Sequence, residues 1–292
     1  MKEVIQRSLL YGGAIAVLVG LGFAISNSKT DADVNTLLGS VDVQLRLAYG
    51  IPAVDKQGNE LTSRTQMIVD AEKYLDTIDR IQPDMAVATE FRGFAHMLRG
   101  QFVEAAAAYG RARQCKDCTQ EQGDVLAFNQ ARMLARAGEG EKALSVFQQN
   151  AVALDRRFGG QRSIEEAAIL RSLNRKAEAE RSIDAVVAAA AVEPMAWLQA
   201  GREYEQLGRT EKAETAYLTA SGNVPIADYH LARLKLEQGD VDKSLELLGR
   251  AVAAVPAEVR RLVQEEPDAW RAVQANARFQ ELTVPRAATP GR

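Results

Sequence analysis

The chain has 292 residues, 47% of them hydrophobic, which is enough for one large domain or two ordinary ones with a substantial core. Its 36 basic and 39 acidic residues give a formal net charge of −3, which argues against a nucleic-acid-binding protein. Alanine is abundant and no convincing alternating strand pattern occurs, so the composition favours an all-α fold.

The N-terminal segment is the most apolar part of the chain. Ser8 to Ser28 carry no charge, and as a helix residues 9–28 would span about 30 Å, the thickness of a hydrocarbon core. Lys2 and Arg7 precede this run, so we expect residues 1–8 to be a cytoplasmic stub. The segment then predicts a single-pass anchor in a bacterial inner membrane, with the remaining chain in the periplasm.

A cleaved secretory signal is the alternative interpretation of the same segment. The run is short, and Ala24-Ile25-Ser26 has the small-x-small pattern of a cleavage site. Either interpretation exports the rest of the chain. If the helix is retained, it carries a stripe of small residues at four-residue spacing, which favours close packing on a partner helix: Gly12, Ala16, Gly20 and Ala24. Small residues are also simply common in such segments.

Residues 29–83 predict a helical hairpin with an inserted loop. "IVDAEKYLDTIDRIQP" places Ala71, Leu75 and Ile78 on one helical face, and a partner helix is expected over about 34–49. "GIPAVDKQGNELT" lies between these helices as the loop. We interpret this region as a degenerate opening copy of the repeat that follows.

Residues 84–256 contain five copies of one pattern, found by sliding the chain on itself, and the third and fourth copies align at a shift of 34 residues. A residue that tolerates left-handed backbone geometry ends the first helix of each copy: Gly100, Gly138, Asn174, Gly208 and Gly239. In the second helix of each copy a small residue lies where two helices must touch: Ala105, Ala143, Ala179, Ala213 and Ser244. A larger side chain follows each of them four positions later. "RRFGGQRS", residues 156–163, is expected to be a loop between copies.

Residues 194–225 carry the pattern most completely, with Trp197, Gly201, Tyr204, Ala213, Tyr217, Ala220 and Pro225. This spacing resembles the tetratricopeptide repeat (TPR). The resemblance implies a right-handed α-solenoid of stacked helical hairpins. In that scheme residues 257–282 resemble C-terminal capping helices, and residues 283–292 are expected to form a disordered tail.

Chemistry-bearing motifs are few. Cys115 and Cys118 form a Cys-x-x-Cys pair in a polar turn, for which an exported domain favours a local disulfide, with free thiols or thiol chemistry as alternatives. The chain has only two cysteines and two histidines, so we expect no metal site and no cofactor. His96 occupies a packing position of its copy. No catalytic constellation occurs, so we do not expect an enzyme.

The resemblance also implies a concave groove lined by the first helix of each hairpin. Carried over position by position, the groove has aromatic and apolar anchors and a row of arginines: Phe94, Phe128, Arg132, Arg171, Leu198, Arg202, Tyr229 and Arg233. Arg136 lies beside these positions and is included in the predicted groove. Arginine forks suit carboxylates, so the expected ligand is a protein segment with acidic and apolar residues. Alternatively these arginines form a solvated face or pair with glutamates on the same helix, such as Glu205 three residues past Arg202.

Three functional hypotheses follow. The first is a membrane-tethered scaffold that helps assemble or hold an envelope complex through its groove. The second is a permanent accessory subunit that packs through its transmembrane helix. The third, least favoured, is a thiol-active assembly factor that uses Cys115 and Cys118. None involves nucleic acid.

Overall fold

The computed structural model describes residues 29–54, 58–59, 61–189 and 193–284. Within these ranges the chain is built of helices and short connections, with no β-strand, which confirms the all-α prediction. Residues 1–8 and 9–28, with the predicted stripe at Gly12, Ala16, Gly20 and Ala24, lie outside the described residues, as does the predicted tail beyond residue 284. Among the helices described, none combines the length and apolar character needed to cross a bilayer.

The chain divides into two compact units, the first ending at Arg162 and the second beginning at Ser163. The first unit contains α1 (Lys29–Gly50), α2 (Thr62–Ile81), α3 (Ala86–Leu98), α4 (Phe102–Ala112), α5 (Gln120–Arg136), α6 (Gly140–Gln149) and α7 (Ala151–Phe158). Helices α1 and α2 pack against each other, and the predicted face of Ala71, Leu75 and Ile78 is fully buried. Residues 29–81 therefore contain two packed helices joined by a connection after Gly50. That they are a degenerate opening copy of the repeat stays a prediction.

The second unit carries the remaining hairpins and the C-terminal segment. Its elements are α8 (Gln161–Ser172, beginning at the boundary), α9 (Lys176–Val187), α10 (Pro194–Gln206), α11 (Thr210–Ser221), α12 (Ile226–Glu237), α13 (Val241–Ala254), α14 (Pro256–Glu265), a 3-10 helix (Pro267–Val273) and α15 (Ala277–Thr283). The second helix of one hairpin packs on the first helix of the next, α9 on α10 and α11 on α12. The right-handed stacking of the hairpins stays a prediction.

Close contact between the two helices of a hairpin explains the small residues of the repeat. Each of them is completely buried: Ala105, Ala143, Ala179, Ala213 and Ser244. In the fourth copy the ring of Tyr217 lies directly on Gly201, where an added Cβ would be 2.6 Å from Tyr217 Cδ1. Gly93 and Tyr109 repeat this contact in the first copy, with a Cβ 2.8 Å from Tyr109 Cε1. In both copies an aromatic ring thus fills the space that a side chain at the glycine would occupy.

The turn inside each hairpin has the backbone geometry that the sequence predicted. The five residues that end the first helices all have positive φ, between 61° at Asn174 and 86° at Gly239. At Asn174 a non-glycine residue accepts this geometry, which asparagine tolerates better than most residues.

The predicted loop at residues 156–163 is wrong. Arg156 to Phe158 end helix α7, and Gln161 already begins α8, so only Gly159 and Gly160 remain as a turn. Helix α7 forms because Leu154 and Phe158, four residues apart, share one face. Leu154 is fully buried, and the Phe158 ring stacks on Phe128 with centroids 4.5 Å apart.

Gly201→Ala is expected to destabilise the second unit by about 1–3 kcal/mol, because the new methyl group must displace the buried Tyr217 ring. Gly249→Ala is the matched control, since its Cβ would make only an ordinary 3.6 Å contact with Leu282. That change should be neutral or gain up to about 1 kcal/mol from helix propensity. Urea unfolding followed by circular dichroism measures both. A Gly201→Ala midpoint at or above that of Gly249→Ala would contradict the contact.

Candidate functional site

The apolar anchors predicted for the groove are interior residues. Phe94, Phe128, Leu198 and Tyr229 are all buried, and Phe94 is the most exposed of them at 8%. Phe94 packs near Tyr49, with ring centroids 6.0 Å apart, and Phe128 packs between the rings of Phe147 and Phe158. These side chains therefore hold neighbouring helices together in this structure and present little surface to a ligand.

Arg171 and Arg233, two of the predicted arginines, are paired with the chain's own carboxylates. Arg171 Nε donates to Glu203 Oε2 at 3.0 Å, and the Glu203 side chain is only 5% exposed. Arg233 bonds to both Glu205 and Glu266. Arg202 also interacts within the protein. Arg171 and Arg233 thus pair with carboxylates outside their own helices, not with glutamates on the same helix as the alternative expected. One partner of Arg233 is the Glu205 that the sequence placed beside Arg202.

Arg233 is the centre of a buried polar network. Its Nη1 donates to Glu266 Oε2 at 2.8 Å, the Tyr229 hydroxyl donates to the same oxygen at 3.0 Å, and the Tyr217 hydroxyl donates to Glu205 Oε2 at 2.7 Å. Burial alone would lower the pKa of the Arg233 guanidinium, but the two carboxylates outweigh it and hold the pKa above its ordinary value. Two carboxylates thus surround one guanidinium, so the Arg233 charge is compensated on two sides.

Arg136 differs from Arg171 and Arg233, because no carboxylate in the described part of the chain pairs with it. Its guanidinium lies over the Phe102 ring, 4.0 Å from the centroid, and it is half-buried. Burial, and then the neighbouring charge of Arg132, lower the pKa of Arg136. Arg132 lies one turn before it, with its guanidinium 5.8 Å from the Phe128 centroid. Two positive charges and aromatic surface thus meet at the end of α5.

Cys115 and Cys118 are free thiols in the turn between α4 and α5, so the predicted disulfide is not formed in this structure and stays a prediction for oxidising conditions. Burial raises the pKa of both thiols, which disfavours the reactive thiolate. In the same turn Asp117 accepts a hydrogen bond from the Ala86 backbone N–H at 3.0 Å. The described residues contain no group of histidine, cysteine and acidic side chains arranged for a metal ion.

Glu266 and Trp270 are site residues that the sequence did not identify, and His230 is one that it placed on a first helix without assigning it a role in the groove. Glu266 and Trp270 lie in the C-terminal segment, where no repeat spacing assigns positions. His230 is buried, with its ring stacked on Tyr217 at 5.3 Å and edge-on to Tyr229 at 5.4 Å. Its Nδ1 has no hydrogen-bond partner. Nothing in the one-dimensional pattern distinguishes this histidine from an exposed one.

Sequence models of the tetratricopeptide repeat match residues 125–149 and 196–222, which fall in the second and fourth predicted copies. No curated protein sequence matches the chain.

Among solved structures, the chain is similar to PilW, described as a widely conserved type IV pilus biogenesis factor. The TM-score is 0.52 at 13% identity, over 74% of this chain and 94% of PilW. It is also similar to the apo form of RapI, with a TM-score of 0.52 at 14% identity, over 96% of this chain and 84% of RapI. At these identities the similarities show the fold alone.

The buried His230 predicts a pH dependence of stability. Burial, and then the charges of Arg202 and Arg233, lower the pKa of His230 well below its ordinary value. The unfolded chain therefore takes up a proton near pH 6.5 that the folded chain does not, so stability falls as the pH drops below about 6.5, by at most about 1.4 kcal/mol per pH unit.

His230→Phe keeps an aromatic ring and removes this titration. The free energy of unfolding of both proteins is measured with urea at about pH 7.5 and about pH 5. Between these two values the wild type should lose more stability than His230→Phe. Parallel pH profiles for the two proteins would contradict a buried neutral imidazole.

Proposed function

The chain is a tetratricopeptide-repeat protein, and we propose that it is a scaffold that binds another protein and is held at a membrane by residues 9–28. Repeats of this family are typically non-enzymatic interaction surfaces, and stacked helical hairpins present first-helix side chains in rows. The proposed partner offers an acidic and apolar segment to the first unit. The task of such a scaffold is to assemble or hold a complex of the cell envelope.

Arg136 is the observation that carries this proposal. Its planar guanidinium has five N–H donors, and contact with the Phe102 ring leaves them free for a ligand carboxylate. Half-burial strengthens such a bond, because the local dielectric is lower than that of water. Arg132 adds a second positive charge one helical turn away. An acidic side chain flanked by apolar residues fits this surface best.

The tether is supported by the sequence of residues 9–28, which is uncharged and long enough for a bilayer. Confinement at a membrane raises the effective concentration of a scaffold toward membrane partners. PilW is a pilus biogenesis factor by its description, which accords with a role in envelope assembly. The raised thiol pKa values of Cys115 and Cys118 disfavour the thiol-active hypothesis.

Arg136→Glu is expected to weaken capture of the partner by about ten-fold or more, since it replaces an attraction with a repulsion at the proposed carboxylate contact. Arg111→Glu is the matched control: it makes the same charge change on an exposed helix position of the same unit. The full-length chain is purified from its native membrane in mild detergent, and each companion protein is quantified by mass spectrometry. The proposed contact is wrong if every companion stays at its wild-type level in Arg136→Glu.

The tether predicts that the full-length chain sediments with membranes and resists alkaline carbonate extraction, with an intact mass that includes residues 1–28. Val17→Arg should release much of it, because an arginine at the centre of a span costs about 2.5–3.5 kcal/mol on insertion scales. An intact mass that corresponds to a chain beginning near residue 27 would instead establish signal cleavage.

A further inference from the structure

The C-terminal segment covers the surface of the last repeat that the TPR scheme assigns to a ligand. Tyr229 and Arg233 are the predicted ligand positions on α12, and both contact Glu266 Oε2, at 3.0 Å and 2.8 Å. Trp270, four residues later, packs on the Tyr229 ring with centroids 5.7 Å apart. A carboxylate on an arginine and an indole on an aromatic ring are the contacts expected of an acidic and apolar ligand.

Residues 266–273, which cover this surface, resemble a bound peptide more than a further stacked helix. Helix α14 ends at Glu265, Glu266 has φ −120° and ψ 54°, and Pro267–Val273 is a 3-10 helix of 7 residues. Runs of 3-10 helix longer than three or four residues are uncommon, because their hydrogen-bond geometry is poor. Its shape is therefore stabilised mainly by the surface beneath it, where Trp270 is fully buried between Tyr229 and Phe279.

The charges allow the segment to leave. Arg233 bonds to Glu205 of α10 as well as to Glu266, so withdrawal of Glu266 leaves the guanidinium with a carboxylate partner. Glu205 also keeps the Tyr217 hydroxyl. Glu266 itself is partly exposed, with 27% of its side chain accessible, and regains water when it departs. Neither side of the contact is left with an uncompensated buried charge, which is the usual obstacle to opening a buried ion pair.

Excess negative charge beside the network also favours withdrawal of Glu266 from Arg233. Burial raises the pKa of the nearby Glu237 carboxyl; Arg233 opposes this rise, while Glu205 and Glu266 add to it. Glu266 thus brings a third carboxylate to a group of side chains that already contains two.

We propose that the surface formed by Tyr229 and Arg233 recognises a carboxylate followed four residues later by an indole. Residues 266–270 occupy this surface within the chain, and a partner segment of the same chemistry replaces them. The inference rests on the proposed scaffold function and adds a second docking surface, in the second unit, together with the chemistry of what binds there.

The test uses the chain's own segment as a separate peptide. A fluorescently labelled peptide of residues 262–274, LVQEEPDAWRAVQ, is titrated by anisotropy with the full-length wild type and with full-length Glu266→Gln. Because the variant weakens the internal competitor, it should bind the peptide about ten-fold more tightly than the wild type. Glu265→Gln is the matched control, since Glu265 pairs only with the exposed Arg261, and it should bind like the wild type.

Peptides that carry Glu266→Gln or Trp270→Ala should each lose about ten-fold or more in affinity for the Glu266→Gln chain. Equal binding by all three chains, no binding by any, or indifference to the peptide's tryptophan would overturn the proposal and leave the segment as a fixed cap.

Hydrogen exchange on the wild type guards against a variant that fails to fold. Excess peptide should speed amide exchange in residues 267–273 of the chain while α10 keeps its protection. Unchanged exchange at saturating peptide would overturn the proposal independently of any variant. No cellular partner enters these measurements, so their failure is distinct from a failure of the capture experiment with Arg136.

Discussion

The close approach of two helices within each hairpin is the constraint on which the rest of the structure depends. A small residue on one helix lets the large side chain of the other helix pack directly on its backbone, as the Tyr217 ring packs on Gly201. Two helices packed this closely cannot bury all of their own apolar side chains. The second helix of a hairpin must therefore pack on the first helix of the next hairpin. This stacking draws Phe94, Phe128 and Leu198 into the interior, although the repeat scheme alone assigns them to a ligand.

Stacking also brings side chains about one repeat apart within bonding distance. Gln122 donates to Glu90, Arg171 to Glu203 and Arg233 to Glu205, across 32, 32 and 28 residues of sequence. Each bond joins the first helices of neighbouring copies. Polar positions on these helices therefore serve structure first, and a ligand meets an unpaired charge only where the neighbouring copy offers no counter-charge.

The sequence predicted the features that depend on local backbone geometry. It did not predict the side-chain contacts that depend on how neighbouring elements pack. The positive φ at Asn174 and the burial of Ser244 follow from residue type and spacing, so the hairpins and their turns could be read directly. The pairing of Arg233 could not, because it depends on the register between α10 and α12 and on a C-terminal segment outside the repeat pattern. Helix α7 was missed because its apolar face, Leu154 and Phe158, spans only one turn.

Arg136 and Arg233 differ in what the chain itself places around each guanidinium. Both lie on first helices, both are partly buried, and the sequence included both in the predicted groove. Arg233 has carboxylates on two sides, Glu205 and Glu266, and it keeps one of them when the other is withdrawn. Arg136 has Phe102, 34 residues before it, where a glutamate would have completed a pair. An aromatic ring contributes about 0.5–2 kcal/mol of attraction but accepts none of the planar N–H donors along their own directions. The unmet donors of Arg136, and not the number of arginines, make the end of α5 the surface of the first unit best suited to an acidic partner.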